Sequence, residues 1–163
     1  QQPVPISAAS HDGKALYLRL EGGEGSVNAA RERIGGEDLD PGYWNELREQ
    51  RLAFFADPRP LWRLSLPNNT PALGLPGDQL VDWAGAQRWL KSDADAVTIR
   101  GIAVEVGGHA TCFTAGATSN PFQPLSAPLF NRLLGVEDAL NVVRTDVPGH
   151  GSPPSPTCIG WPA

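Results

Sequence analysis

The sequence predicts an α+β fold of the ferredoxin-like, split βαβ type, in which a four-stranded antiparallel sheet carries helices on one face. Two short segments, residues 16–20 and 61–67, alternate apolar and polar residues as strands do. Between and after them lie stretches with helical spacing of apolar residues, bounded by glycine and proline. The resulting element order is β-α-(α)-β-β-α-β. A chain of 163 residues has the length of one domain.

The first predicted strand follows a tight turn at Asp12–Gly13. In residues 16–20 three leucines alternate with Tyr17 and Arg19, which gives the strand one apolar and one polar face. The residues before the turn contain proline and serine.

A glycine-rich loop, Gly22–Gly25, joins this strand to a helix predicted from Ser26 to Ile34. Such a loop is either a phosphate-binding loop or an ordinary turn. The spacing is neither GxGxxG nor GK[ST], and Glu24 would repel phosphate. Gly35 and Gly36 end the helix.

The next helix is predicted to begin at Asp40–Pro41, to continue through Phe54 and to stop at Asp57–Pro60. The strand at residues 61–67 then places Arg63 and Ser65 opposite its apolar residues.

Residues 79–90 are predicted as one long third strand, in which Gly85 marks a bulge or a close approach by another backbone. If the alternation continues across Gly85, Asp82 and Arg88 share one face and Trp89 lies on the other. A capping-box-like pair, Ser92 and Asp95, starts a helix that ends at Gly107–Gly108.

The fourth strand begins at His109, and its residues His109, Thr111 and Phe113 face one way. A further helix is predicted from Ser126 through Val136, followed by an irregular tail. We therefore divide the chain into an α+β domain at 1–116, a helical segment at 117–146 and a tail at 147–163.

Composition excludes several classes of function. A net charge of −5 and a pI near 5.1, without a Lys/Arg run, predict that the chain binds neither nucleic acid nor an anionic membrane. No apolar run approaches the roughly 20 residues of a spanning helix. Cys112 and Cys158 have no zinc-binding spacing, so we expect no metal, reduced thiols and a cytoplasmic location.

The face left open by the helices is predicted to be polar. Two interpretations remain open: its arginines bind a carboxylate or phosphate, or its charged groups merely solvate the sheet. His109 is placed for acid/base chemistry, or it is a structural histidine bonded to the turn backbone. The residues on this face are Tyr17, Arg19, Arg63, Ser65, Asp82, Arg88, His109 and Thr111.

Two segments carry a family resemblance: LGLPGDQLVDWAGAQRWLKSDADA, residues 73–96, and GGHATCF, residues 107–113. They resemble the C-terminal part of the FAD-binding subunit of bacterial glycolate oxidase, a flavoprotein of the vanillyl-alcohol-oxidase type. PVPISAASHDG, LYLRLEG and PLWRLSLP are similar to the same subunit in the same order. The resemblance covers roughly residues 3–134.

The resemblance implies a cap or substrate domain whose sheet lies over the flavin ring. Arg19, Arg63 and Arg88 would then orient the carboxylate of a 2-hydroxy acid, while Gly108, His109 and Thr111 would lie toward the FAD, with His109 as the catalytic candidate. The implied partners are a second flavoprotein subunit and an iron-sulfur subunit. The alternatives are a stand-alone split-βαβ module that binds a small anion or regulates a partner, and a subunit-interaction domain.

The chain departs from the family pattern in two places. Family members carry a larger N-terminal FAD-binding domain, and they end in a segment unlike GVEDALNVVRTDVPGHGSPPSPTCIGWPA, residues 135–163. We therefore expect a truncated or frame-altered gene, and a chain that is inactive without the domain that holds FAD.

Overall fold

A computed structural model describes residues 4–125, 128–133 and 135. The chain divides after Gln123 into two units, Gln1–Gln123 and Pro124–Ala163. In the second unit the described residues 128–133 and 135 are helical, in agreement with the helix predicted there. Ser126, Val136 and the predicted tail at 147–163 lie outside the described residues.

The described part of the first unit, residues 4–123, contains one antiparallel sheet, three α-helices and two 3-10 turns. The strand order across the sheet is β2-β1-β4-β5-β3-β6, and every neighbouring pair is antiparallel. The elements are β1 Ile6–His11, β2 Leu16–Leu20, α1 Glu24–Ile34, α2 Tyr43–Arg48, the 3-10 turn Ala53–Ala56, β3 Leu61–Ser65, β4 Asp78–Asp82, the 3-10 turn Trp83–Gly85, β5 Gln87–Lys91, α3 Ala96–Glu105 and β6 His109–Cys112.

The predicted α+β class with an antiparallel sheet is confirmed, but the prediction of four strands is wrong. One additional strand is β1, whose sequence ISAASH lacks the hydrophobic alternation by which strands are recognised. It pairs with β2 across the predicted turn, where Gly13 has a φ of 90° and the Asp12 carboxylate accepts hydrogen bonds from two backbone N–H groups.

The other additional strand arises because the predicted long third strand is a hairpin. Trp83, Ala84 and Gly85 have φ values of 50°, 51° and 95°, and these left-handed residues reverse the chain between β4 and β5. The register pairs Val81 with Arg88, so Arg88 lies on the face opposite Asp82. The prediction that Asp82 and Arg88 share one face is therefore wrong.

The ferredoxin-like order of strands is not confirmed. The first and last predicted strands, β2 and β6, lie at opposite edges of the sheet. One split βαβ unit is present, because β5 and β6 are parallel to each other and β3 lies between them.

Helical segments cover both faces of the sheet, so the prediction of helices on one face is wrong. On one side, here the α3 face, Ile99 and Ala103 pack on Trp62, Leu64 and Leu90. On the other, the α2 face, Leu47 of α2 and the aromatic residues around Ala53–Ala56 pack on Leu61, Leu80 and Trp89. Strands β3 and β5 are central and are buried from both sides.

Helix boundaries differ from the predictions by a few residues. Helix α1 begins at Glu24, after Gly23, instead of after Ser26, and it ends before Gly35–Gly36 as predicted. Helix α2 is short because Gln50 adopts a φ of 55° soon after it ends. The cap of α3 is Asp95, whose carboxylate accepts a hydrogen bond from the Thr98 N–H at 2.8 Å. No helix in the described residues is long and apolar enough to cross a membrane.

Candidate functional site

Polar residues form a patch on the α2 face, at the end of the sheet occupied by β3 and β6. The strand register places Arg63 opposite Thr111 and Ser65 opposite His109. We call these four residues the Arg63 patch. The parity predicted for β3 and β6 is thus confirmed, and two neighbouring strands bring four of the predicted face residues together.

Arg63 is the charged centre of this patch. Its side chain is half-buried, and its Nε is buried without a hydrogen-bond partner. None of the ion pairs within the described residues includes it. A partly desolvated guanidinium without a carboxylate gains most from a ligand that brings an anionic oxygen pair.

The aromatic surroundings of Arg63 lower the local polarity. Trp89 is its cross-strand neighbour on the other side, and it makes edge-to-face contacts with Phe55 and Phe113 at centroid distances of 5.6 and 5.4 Å. In such surroundings an ion pair to Arg63 is stronger than it would be in water.

His109 and Gly108 play different parts at the start of β6. His109 is exposed and lies opposite Ser65. At Gly108, an added Cβ would lie 2.4 Å from the Ser65 carbonyl oxygen and 2.4 Å from Leu66 Cδ2. Gly108 is therefore needed for the close approach of β6 to β3.

Arg19, the second predicted substrate residue, does not reach the Arg63 patch. It lies on the edge strand β2, four strands from β3, which corresponds to about 19 Å. Its guanidinium pairs with Glu21 at 2.5 Å.

Arg88, the third predicted substrate residue, lies on the α3 face and is 4% exposed. It donates hydrogen bonds to the carbonyl oxygens of Pro71 at 2.8 Å and Thr70 at 2.5 Å, and burial lowers the pKa of its guanidinium. Arg88 thus holds the connection between β3 and β4 against the sheet. The prediction that three arginines share one face is wrong, because the hairpin at Trp83–Gly85 changes the parity of β5.

A groove on the α2 face was not predicted. Its cavity measures about 620 Å³ and is bounded by β1, β2, α2 and the turn Trp83–Gly85. It is missed from the sequence because α2 was assigned no packing partner and Trp83 was placed inside a strand. We call it the Trp83 groove, and its lining includes Arg19, Trp44, Arg48, Asp82, Trp83 and Gln87.

Two of the positions considered for a cofactor have features that do not suit one. Glu24 of the Gly22–Gly25 loop places a carboxylate in the first turn of α1, and Gly108 lies against Ser65 and Leu66. Gly108, His109 and Thr111 are the residues expected to lie toward FAD. Of these, His109 and Thr111 have side chains on the α2 face, where they could form one wall of a site. Among the described residues no group of three or more His, Cys, Asp or Glu could hold a metal ion.

Together, the fold and the Arg63 patch define an antiparallel α+β domain with a cationic site on an aromatic-rich face. Among curated proteins the chain is similar to glycolate oxidase subunit GlcE of Escherichia coli (strain K12), with 57% identity over 129 residues. The match covers 79% of this chain and 36% of the relative, so the chain spans about a third of that protein. The resemblance to a glycolate oxidase subunit is thereby confirmed.

No protein family model matches the chain. No solved structure matches it either.

Proposed function

We propose that this chain forms the substrate-side domain of an FAD-dependent oxidase or dehydrogenase subunit that acts on a 2-hydroxy acid of the glycolate type. The observation that supports this most is its 57% identity, over 79% of its length, to a protein named as a glycolate oxidase subunit. Because the chain spans 36% of that relative, we propose that it is inactive alone.

Arg63 is the residue proposed to bind the substrate carboxylate. Its guanidinium is half-buried and has no ion pair within the residues described, and it lies beside the Thr111 hydroxyl. A planar fork of N–H donors suits a carboxylate, and Thr111 can donate one further hydrogen bond. Arg19 and Arg88 are left out of this site, since one pairs with Glu21 and the other bonds to backbone carbonyls.

FAD is the cofactor implied, and it would supply the acceptor for the hydride of the hydroxy acid. The described residues contribute one wall at most, so we propose that FAD is held by a different part of the subunit. A second flavoprotein subunit and an iron-sulfur subunit are the proposed partners.

His109 is proposed to accept the substrate hydroxyl proton. It is exposed beside Ser65, two residues along β6 from Thr111, on the same face as Arg63. A histidine side chain is a common general base in enzymes. Replacement by Gln is expected to lower kcat and to leave KM for glycolate unchanged, whereas a purely structural histidine would change neither.

A chimera tests the proposed function. The matching segment of the E. coli subunit is replaced by residues 1–134 of this chain, and glycolate-dependent dye reduction is measured in the assembled enzyme. We expect activity within about tenfold of the parent, because the two segments differ at fewer than half of their positions. An assembled, FAD-containing chimera without activity would contradict the proposal.

Titration of the isolated chain separates this function from a stand-alone anion-binding module. We expect no saturable binding of glycolate to the chain alone, because the Arg63 patch supplies one arginine without a second wall. Saturable binding by the isolated chain would favour the anion-binding module.

An interaction surface is the second candidate function, and one observation favours it. Phe113 is 48% exposed on the α2 face and packs edge-on against Trp89. An exposed aromatic residue beside an arginine is typical of the centre of a protein interface. Replacement of Phe113 by Ala would then reduce co-purification of the other subunits, with the KM for glycolate unchanged.

A further inference from the structure

The Trp83 groove has the dimensions of a small-molecule site. Its volume of about 620 Å³ lies within the range of roughly 300–1,000 Å³ that ligand pockets occupy. Backbone and side chains of β1, β2, α2 and the β4–β5 turn form its walls. All of these elements belong to the first unit of the chain.

The floor of the groove holds two polar side chains whose hydrogen-bonding capacity is not fully used by residues 4–125. Gln87 is 8% exposed, and its carboxamide makes no hydrogen bond to any group in residues 4–125. Its cross-strand neighbour Asp82 accepts one hydrogen bond, from the Trp83 N–H to Oδ1 at 2.8 Å. The carboxamide atoms of Gln87 are not among the side-chain atoms that are cut off from solvent, so they face the groove and can bond to a ligand with complementary groups.

Two tryptophans supply apolar surface above this floor. Trp44 comes from α2, and Trp83 comes from the turn, where it is 68% exposed. Trp83 and Ala84 both adopt left-handed backbone conformations, which non-glycine residues adopt at a cost. A planar ring would bury the exposed indole face of Trp83 and stack on it.

The charges around the groove disfavour an anionic ligand. Arg19 pairs with Glu21 at 2.5 Å, and Arg48 pairs with Glu49 at 2.8 Å, so each arginine of the groove is already neutralised. Asp82 is left as the uncompensated charge. Burial raises the pKa of this carboxyl, because its charged form is poorly solvated, and an anion placed beside it would be repelled.

We propose that the Trp83 groove is a second ligand site, specific for a planar ring that carries a primary carboxamide and no negative charge. The carboxamide of the ligand pairs with that of Gln87, each donating to the oxygen of the other. The ring lies against Trp44 and Trp83. This site adjoins the Arg63 patch, because Gln87 on β5 pairs with Ser65 on β3, but the proposal does not depend on the proposed oxidase function.

Three probes of nearly equal size test the proposal with the full 163-residue chain. Benzamide carries the carboxamide, benzoate replaces it with a carboxylate, and toluene replaces it with a methyl group. Binding is followed by the shifts of the indole N–H signals in ¹H–¹⁵N spectra, assigned with Trp→Phe variants. We expect saturable binding of benzamide that shifts the signals of Trp44 and Trp83, and binding of benzoate and toluene that is weaker by about tenfold or more.

Two variants and a matched control locate the site. Gln87→Leu removes the hydrogen-bonding group and is expected to weaken benzamide binding by about tenfold, with toluene binding unchanged or stronger. Trp83→Ala is expected to weaken the binding of both benzamide and toluene. Because Trp83 is exposed, this replacement should leave the fold intact. Phe122→Ala removes an aromatic residue that is 69% exposed outside the groove, and it is expected to change nothing.

The proposal is overturned by any of three results: no saturable shift with benzamide, benzoate binding as tightly as benzamide, or unchanged benzamide binding in both Gln87→Leu and Trp83→Ala. Arg63→Met is expected to leave benzamide binding unchanged. This distinguishes a failure at the groove from a failure at the Arg63 patch.

Discussion

Arg63 and Thr111 lie directly opposite each other on β3 and β6, on the α2 face of the sheet. Their pairing places a guanidinium and a hydroxyl side by side at a position where Trp89 and Phe113 reduce contact with water. This relationship depends on the close approach of the two strands. Three features near β3 and β6 keep those strands in place: Gly108, Arg88 and the ion pair between Asp57 and Arg59. Each makes a prediction about stability.

The first prediction concerns Gly108, at the start of β6. Gly108→Ala is expected to reduce the free energy of unfolding by about 2 kcal/mol or more, because the new methyl group would meet the Ser65 carbonyl and Leu66 at 2.4 Å. Gly101→Ala in α3 is the matched control. Its Cβ meets nothing within 4 Å, so it should stabilise the chain by roughly 0.5–1 kcal/mol. Urea unfolding measures both, and equal effects would contradict the packing described for Gly108.

The second prediction concerns Arg88, which connects the sheet to the segment between β3 and β4. Arg88→Met is expected to lower the free energy of unfolding by about 2 kcal/mol, because two backbone carbonyls lose a charged hydrogen-bond donor. Arg33→Met removes an exposed arginine of α1 and should change stability by less than about 0.5 kcal/mol. In the active chimera, Arg88→Met should leave the KM for glycolate unchanged. A large rise in KM would instead indicate that Arg88 binds the substrate.

The third prediction concerns pH and the ion pair between Asp57 and Arg59, just before β3. The hydrogen bond from the Arg59 side chain lowers the pKa of the Asp57 carboxyl from 3.8 to about 2. Because the folded pKa is depressed, the stabilisation from Asp57 is complete above pH 4 and is lost as the pH falls from about 4 to about 2. In Asp57→Asn, the urea midpoint of unfolding should depend less on pH over this range.

Asp93→Asn is the control for that experiment, since Asp93 is exposed and takes part in no ion pair within the described residues. It should retain the pH profile of the original chain. An identical acid profile for Asp57→Asn would show that the ion pair with Arg59 does not contribute.

Much of the sheet was predictable from the sequence because β2, β3 and β6 are short segments with clear alternation or clear boundaries. The hairpin between β4 and β5 was not predictable in the same way. Its turn uses Trp83 and Ala84 in left-handed conformations, which their side chains disfavour, so periodicity alone favoured a continuous strand. Strand β1 was missed because its serines and alanines do not form an alternation of apolar and polar residues.

The candidate site was predicted in part, and the limit follows from the same turn. Arg63, Ser65, His109 and Thr111 lie together because β3 and β6 have unbroken alternation. Arg88 was assigned to the wrong face because its parity was counted through Gly85. The Trp83 groove depends on where α2 packs, and that is a tertiary contact which no local pattern encodes.

The most direct test of the central claim is the KM for glycolate of the Arg63→Met chimera. If Arg63 binds the substrate carboxylate, KM should rise by about tenfold to a hundredfold, as expected for the loss of a charged hydrogen bond, and added guanidinium ion should partly restore it. Arg33→Met in the same chimera should leave KM unchanged. A KM for Arg63→Met equal to that of the parent chimera would contradict the account.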